Sequence, residues 1–279
     1  MLTFQYDQFP AAAVAESKRG RRISVCVPAL NEAATVGHVV ETVRAQLMDA
    51  EQVVDELVVV DDGSLDATRA VAEAAGATVV AAAVAGAPGG KGHALWQGLR
   101  ATTGDLVVFC DADVISFHPG FVTGLVGPLL AHEHLSFVKA TYRRDAEGHP
   151  GEGGRVTELL ARPLIELLFP QLAGIRQPLA GECAARREAL EAVPFVDGYA
   201  VDLGLVLDLA ARFGVSSLAQ CDLGTKEHRN RPISELAAQA RSVAAVALHR
   251  SGNVLQGASA ALVSQRPPVR ELQGRRISA

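Results

Sequence analysis

The chain lacks paired cysteines. Its four, Cys26, Cys110, Cys183 and Cys221, lie far apart with no CxxC spacing. That pattern excludes a zinc ribbon or a disulfide-stapled scaffold and reads as buried, reduced thiols of a cytosolic protein. No apolar run approaches the ~18–20 residues that span a bilayer, so no membrane association is expected. The longest, Ala77–Ala87, is alanine-rich and leads into a Gly/Pro loop. Met1–Pro10 has no basic start followed by an apolar stretch, so no signal peptide is expected. A basic excess is missing too. Lys+Arg number 26 against 31 Asp+Glu, a formal net charge of −5. This argues against a general nucleic-acid binder but leaves room for a local basic site that takes a small anion. There is no GxGxxG after the first apolar run, which disfavours a dinucleotide fold, and no internal repeat.

What is present is enough for one α/β domain of ordinary size: 279 residues, 49% hydrophobic and 20% charged. Ile23–Val27, Leu57–Val60, Thr78–Ala83 and Leu106–Cys110 read as strands. Between them Ala33–Met48, with Val36, Val39, Val40, Val43 and Leu47 on one face, Asp66–Ala75 and Lys91–Ala101 read as helices. Strand and helix alternating with short turns predict a Rossmann-like, mostly parallel sheet with helices on both faces. The strands are unbroken apolar runs, as expected when both faces are covered. In such sheets ligands sit beyond the carboxyl ends of the strands. Asn31 and Glu32, Asp61 and Asp62, and Asp111 and Asp113 cluster at those ends and locate a site before any chemistry is assigned.

The second half is less rhythmic. Phe137–Thr141 and Ser217–Leu223 read as strands, and Val156–Leu168 as a helix bent near Pro163. Leu203–Phe213 and Ser234–His249 read as further helices, and Gly148–Gly154 as a glycine-rich loop. Residues 1–21, with the basic group Lys18, Arg19 and Arg21 at their end and Arg22 just beyond, are expected to be a loose arm, and residues 253–279 a weakly ordered tail. Between them lie a first half, 22–140, and a second half, 141–252.

Several segments could carry chemistry. Pro88-Gly89-Gly90-Lys91-Gly92 permits close backbone approach to an anion with Lys91 as a point charge, or is a turn capping the next helix. It is not a P-loop, because the spacing is one residue short and Gly92 stands where Ser or Thr would bind magnesium. Asp111-Ala112-Asp113 offers two carboxylates to a hard cation such as Mg2+ or Mn2+, or caps a helix. Asp61-Asp62-Gly63-Ser64 can accept hydrogen bonds from a base or ribose, or form an Asx turn with Gly63 at positive φ. Gly153-Gly154-Arg155-Val156-Thr157 leads into a helix whose start favours anions, with Arg155 as a bidentate fork. His228-Arg229-Asn230-Arg231-Pro232 is a ligand and phosphate clamp or a solvated basic turn. Asp202 precedes an apolar helix, as a cap or an active-site group.

Taken together these residues resemble a known family. Ser24-Val25-Cys26-Val27-Pro28-Ala29-Leu30-Asn31-Glu32, Val60-Asp61-Asp62-Gly63-Ser64 and Asp111-Ala112-Asp113 resemble nucleotide-sugar glycosyltransferases of the GT-A fold. Lys91–Trp96, Gly153–Leu159, Gln177–Glu182 and His228–Pro232 resemble the glucosyl-3-phosphoglycerate synthase family, over roughly Arg22 to Arg250. The resemblance implies retaining transfer of glucose from UDP-glucose or another nucleotide sugar to the 2-hydroxyl of 3-phosphoglycerate, with Mg2+ or Mn2+, by a cytoplasmic homodimer with a smaller C-terminal acceptor subdomain. It implies that Pro28, Leu30, Glu32, Asp62 and Lys91 border the nucleotide. Asp113 and His228 would hold the metal, and Asp111 would face the donor sugar or ribose. Gly154, Arg155, Thr157 and Asn230 would hold the acceptor, and Asp202 would lie by the sugar and acceptor hydroxyl. The family usually carries Ser at the position of Asp62 and Glu at that of Asp202.

No residue is an evident nucleophile, which favours same-face attack over a covalent glycosyl-enzyme on Asp202 or Glu182. Three rivals share parts of the pattern. They are an inverting polyprenyl-phosphate transferase, which needs a general base opposite the leaving group, a sugar nucleotidyltransferase, and a silent nucleotide-sugar sensor.

Overall fold

The computed structural model describes residues 1–83, 86, 89–144, 154–227 and 233–273. The strands are β1 (Leu2–Gln5), β2 (Ile23–Ala29), β3 (Glu56–Asp61), β4 (Thr78–Ala81), β5 (Leu106–Phe109), β6 (Phe137–Arg144), β7 (Cys183–Arg186), β8 (Phe195–Val196), β9 (Leu218–Lys226) and β10 (Gln265–Arg266). The helices are α1 (Ala11–Ser17), α2 (Val36–Thr42), α3 (Thr68–Ala74), α4 (Lys91–Ala101), α5 (Gly120–Ala131), α6 (Arg162–Leu168), α7 (Arg187–Glu191), α8 (Val201–Phe213), α9 (Ile233–Arg250) and α10 (Val269–Gln273).

Eight strands form one sheet in the order β1-β9-β6-β7-β5-β2-β3-β4. Every pairing in it is parallel except the two made by β7, which runs antiparallel to both β5 and β6. The expected strands at 23, 57, 78, 106, 137 and 217 are all present. Their apolar runs are buried from both sides: Val25, Val27, Val59 and Val108 face one layer of the core, while Cys26, Val58, Val60 and Phe109 face the other. Because β7 is reversed, its beginning, not its end, lies at the edge where the parallel strands finish.

The two chain ends differ from the loose segments expected of them. Residues 2–5 add β1 to the sheet in parallel with β9. Tyr6 and Phe9 then seat on α5, where a Cβ at Gly124 or Gly127 would overlap them. Helix α5 is buried from Gly120 to Leu130, so it carries no amphipathic period and the sequence pattern passes over it. At the other end β10 pairs antiparallel with β8. Arg266 Nε lies 3.0 Å from Asp197 and Trp96 Nε1 donates to the Pro267 carbonyl at 2.9 Å. The bend expected near Pro163 is a change of winding. A π-helical turn, Thr157–Ala161, runs without a break into α6, and Pro163, which has no N–H to give to the preceding turn, falls just after the change of winding. Among the described residues no helix is long and apolar enough to cross a membrane.

Candidate active site

The turns after β2 and β3 are laced together by short polar side chains. Asn31 adopts a left-handed φ of 57°. Its N–H donates to Ser64 Oγ at 3.0 Å and its Oδ1 accepts from the Leu65 N–H at 2.8 Å. The Glu32 N–H donates to Thr68 Oγ1 at 2.8 Å. The segment Pro28–Glu32 is thereby brought beside Asp61 and Asp62. The two aspartates do different work, and only the turn among the two readings of their motif is seen. Asp61 makes the turn, its Oδ1 accepting from the Ser64 N–H at 3.0 Å around Gly63 at φ 88°. Asp62 reaches across to the glycine loop and accepts the N–H groups of Gly89 at 2.9 Å and Gly90 at 2.8 Å. A carboxylate therefore fixes the loop that launches α4.

Lys91 opens α4. Its Nζ lies 2.9 Å from Asp111 Oδ1 and 3.0 Å from Asp202 Oδ2. Three residues proposed from separate segments thus meet at one ammonium group. Asp111 Oδ2 is held by Lys226 Nζ at 2.9 Å, and Lys226 also pairs with Glu182 at 2.6 Å. Glu182 Oε2 accepts from the Tyr142 hydroxyl at 2.9 Å, and that hydroxyl accepts from Arg144 Nη2 at 2.7 Å. On the far side Lys139 Nζ stands 3.4 Å from Asp202 Oδ1. The result is an alternating chain of charges along the carboxyl-terminal edge of the sheet.

Burial sets the electrostatics. Glu182 is 0% exposed and Lys139 1%, so each charge depends on its partners. Burial would raise the Asp111 carboxyl, but the ammonium groups of Lys226 and Lys91 outweigh it and hold it well below the usual carboxylate range. For Lys91 burial acts downward and is overcome by Asp111 and Asp202, so it stays protonated well above the usual lysine value. Lys226 behaves likewise, through Asp111 and Glu182.

Local structure explains the placement. The reversed β7 delivers Glu182 to the edge, with Gly181 before it; a Cβ at Gly181 would overlap the Asp111 carboxylate. On β9 one extra residue separates the pairs Thr141↔Asp222 and Arg143↔Thr225, with Gly224 at φ 86°. An extra residue resets the alternation of faces, and Lys226 lands over the Tyr142 ring, 5.3 Å from its centre.

Asp113 differs from its neighbours. Its Oδ1 is buried and has no hydrogen-bond partner among the described residues, whereas Ala112 between the aspartates is 3% exposed and faces the core. A buried, unsatisfied carboxylate oxygen two residues beyond Asp111 fits a hard cation that takes few protein ligands and completes its shell with phosphate oxygens. Among the described residues no cluster of three or more metal-ligating side chains forms. His228 and Asn230, with the rest of the 228–232 segment, lie outside the described residues, as does Gly153. Gly154 has φ 81° and its carbonyl accepts from the Glu158 N–H at 3.1 Å. Thr157 is buried beside it and Arg155 is exposed. Sequence reasoning missed Lys139, Tyr142, Arg144 and Lys226, and weighed Glu182 only as a nucleophile. The available signal was a set of ionisable residues inside or against buried strands.

A sheet with a switch of strand order, a DxD after β5 and a lysine-carboxylate edge fit the class of nucleotide-sugar glycosyltransferases. The sequence model for glycosyl transferase family 2 matches residues 24–193. The chain is 50% identical over 257 residues to the glucosyl-3-phosphoglycerate synthase of Mycolicibacterium paratuberculosis, covering 87% of this chain and 77% of that protein. The crystal structure of the Mycobacterium tuberculosis glucosyl-3-phosphoglycerate synthase with phosphoglyceric acid superposes with a TM-score of 0.87 at 41% identity, covering 98% of this chain and 99% of that one. Its complex with Mn2+, UDP-glucose and phosphoglyceric acid gives a TM-score of 0.84 at 42% identity, covering 95% of each. The chain therefore belongs to glycosyl transferase family 2 and, within it, to the glucosyl-3-phosphoglycerate synthase family.

Proposed function

We propose that this chain transfers glucose from UDP-glucose to the 2-hydroxyl of 3-phosphoglycerate, with retention and with Mg2+ or Mn2+, giving glucosyl-3-phosphoglycerate. The observation that carries the reading is the Lys91–Asp111–Lys226 cluster beside the unsatisfied Asp113 oxygen. A diphosphate leaving group gains negative charge as the glycosidic bond breaks, and buried cations fixed in advance stabilise that charge best. Asp113, with His228, would hold the metal, which supplies further neutralisation of that charge. Pro28, Leu30 and Glu32 would border the nucleotide. Asp62 acts on it through the Gly89–Gly90 loop that sets Lys91. Residues 22–140 would form the donor half and 141–252 the acceptor half, in which Gly154, Arg155, Thr157 and Asn230 hold the acceptor's anionic groups.

The geometry also favours same-face attack. Both oxygens of Glu182 are occupied, by Lys226 and Tyr142, and both of Asp202, by Lys91 and Lys139. Neither is an unencumbered nucleophile. Asp202 instead fixes Lys91 and borders the sugar.

The working protein would be a cytoplasmic homodimer. Four unpaired, buried cysteines suit a reducing compartment. Leu159 and Leu167, each 79% exposed on the same helical segment, would offer apolar contacts to a second copy.

A donor-by-acceptor screen tests the reading. Turnover is expected with UDP-glucose and 3-phosphoglycerate, with an α-linked product by proton NMR. A β-linked product would indicate the inverting class. Pyrophosphate release from sugar phosphate and UTP would indicate a nucleotidyltransferase. Tight UDP binding with no turnover of any pair would indicate a sensor.

A further inference from the structure

Among the described residues, one cation of the cleft makes no direct ion pair with a carboxylate. Lys91, Lys139 and Lys226 each hold at least one. Arg144, at the end of β6 and opposite Lys226 in the register, donates from Nη2 to the Tyr142 hydroxyl at 2.7 Å, with its Cζ 4.9 Å from that ring's centre. Its Nε is buried without a hydrogen-bond partner among the described residues. Burial works against the charge, but Tyr142, Glu182 and Asp111 outweigh it, so the guanidinium stays protonated. A partly buried guanidinium whose Nε donor is buried and unused is a costly arrangement that an incoming anion relieves.

The position of Arg144 says which anion. On one side it joins, through Tyr142 and Glu182, the cluster around Asp111. On the other it lies against Gly154 and Thr157: a Cβ at Gly154 would sit 3.6 Å from Arg144 Cδ and 3.8 Å from Thr157 Cβ. Arg144 therefore stands between the acceptor cradle and the reaction centre. In 3-phosphoglycerate the carboxylate is bonded to the carbon that bears the reacting hydroxyl, and the phosphate is one carbon further away. The carboxylate must lie nearer the reaction centre than the phosphate does.

We propose that Arg144 is the receptor for the acceptor's carboxylate, the residue by which this site selects a phosphorylated hydroxy acid over a phosphorylated alcohol. The proposal rests on the acceptor assignment above. The planar guanidinium matches a carboxylate in geometry as well as charge, and the start of the helical segment at Gly154–Thr157 is left for the phosphate.

Isothermal titration of the protein loaded with Mn2+ and UDP tests it with two ligands. Glycerol 3-phosphate keeps the phosphate and the hydroxyl but replaces the carboxylate with a hydroxymethyl group. Arg144→Gln is expected to weaken 3-phosphoglycerate roughly ten- to hundredfold, the range of one charge-assisted contact, and to leave glycerol 3-phosphate and UDP unchanged. Arg144→Lys, which keeps the charge and the packing stem, is expected to fall between the two and covers the case in which the glutamine variant does not fold. Equal weakening of both acceptors, or no weakening of 3-phosphoglycerate, overturns the proposal. Wild-type protein that binds UDP but not 3-phosphoglycerate brings down the acceptor assignment itself, before any variant is compared.

Discussion

Lys91 stands at the first position of a helix, where the dipole disfavours a cation, and two carboxylates hold it there. Lys91→Met leaves two buried acids each short of one partner and is expected to cost about 3 kcal/mol in urea unfolding. The pH dependence has a definite sign. Lys91 is raised above its unfolded value, so its contribution is complete below about pH 10.4 and is lost only as pH rises through the folded value. The gap between wild type and variant should stay flat across neutral pH; a gap that shrinks there would show that the ammonium is not held by these acids. Asp113 makes the opposite kind of prediction, because nothing among the described residues satisfies its inner oxygen. Asp113→Ala should lower turnover by roughly a hundredfold or more and abolish its response to added Mn2+, with little loss of stability. An undiminished Mn2+ response would remove the metal assignment. Lys91, Asp111 and Asp113 were legible in the sequence because each follows an apolar run or opens a helix. Lys226, Tyr142 and Arg144 were not, because they lie inside strands, and their common face depends on a single extra residue near Gly224 that no periodicity announces.

At the scale of elements the same contrast holds. Strands β2, β3 and β5 were readable because both their faces are buried and their sequences are unbroken apolar runs. Strand β7 escaped notice, being four residues long, alanine-rich and antiparallel to its neighbours. Helix α5 escaped for the converse reason: it is apolar all round and shows no helical period. Yet β7 is the element on which the site turns. Its reversed direction sets Gly181 against Asp111 and sends Glu182 to Lys226. Gly181→Ala should therefore be tolerated by the sheet, since the backbone there is not left-handed, but should displace the Asp111 carboxylate from Lys91 and Lys226. A loss of turnover of about two orders of magnitude is expected, with a circular dichroism spectrum like that of wild type. Activity at the wild-type level would show that Asp111 can move without consequence.

On the scale of the whole molecule, an acidic chain is expected to hold two anionic substrates, and it does so by concentrating buried cations along one edge of one sheet. Strands β6 and β9 carry Lys139, Tyr142, Arg144 and Lys226, while β2 and β3 carry the nucleotide turns on the far side of β5. These halves depend on different supports. The β2–β3 side, proposed for the donor, is flanked by β4 and braced by α2 and α3. The β6–β9 side, proposed for the acceptor, ends at β9, whose outer edge pairs with β1, and α5 beneath it is roofed by Tyr6 and Phe9. The first ten residues, which look like a solvated arm in composition, are thus a structural part of the β6–β9 side, to which the acceptor is proposed to bind. Deleting residues 1–10 bares a strand edge and uncovers an apolar helix. Thermal stability is expected to fall. Phe9→Ala alone, removing a half-buried ring from the Gly127 seat, is expected to cost about 2 kcal/mol. The loss should also be uneven. UDP binding, whose base and ribose contacts are proposed on the β2–β3 side, should survive better in the truncated protein, while 3-phosphoglycerate affinity should drop as the ends of β6 and β9 loosen. Titrating both ligands against the truncated chain decides the matter. If both affinities fell together, the two sides would share one cooperative support; if neither fell, β1 would be no more than an edge cover.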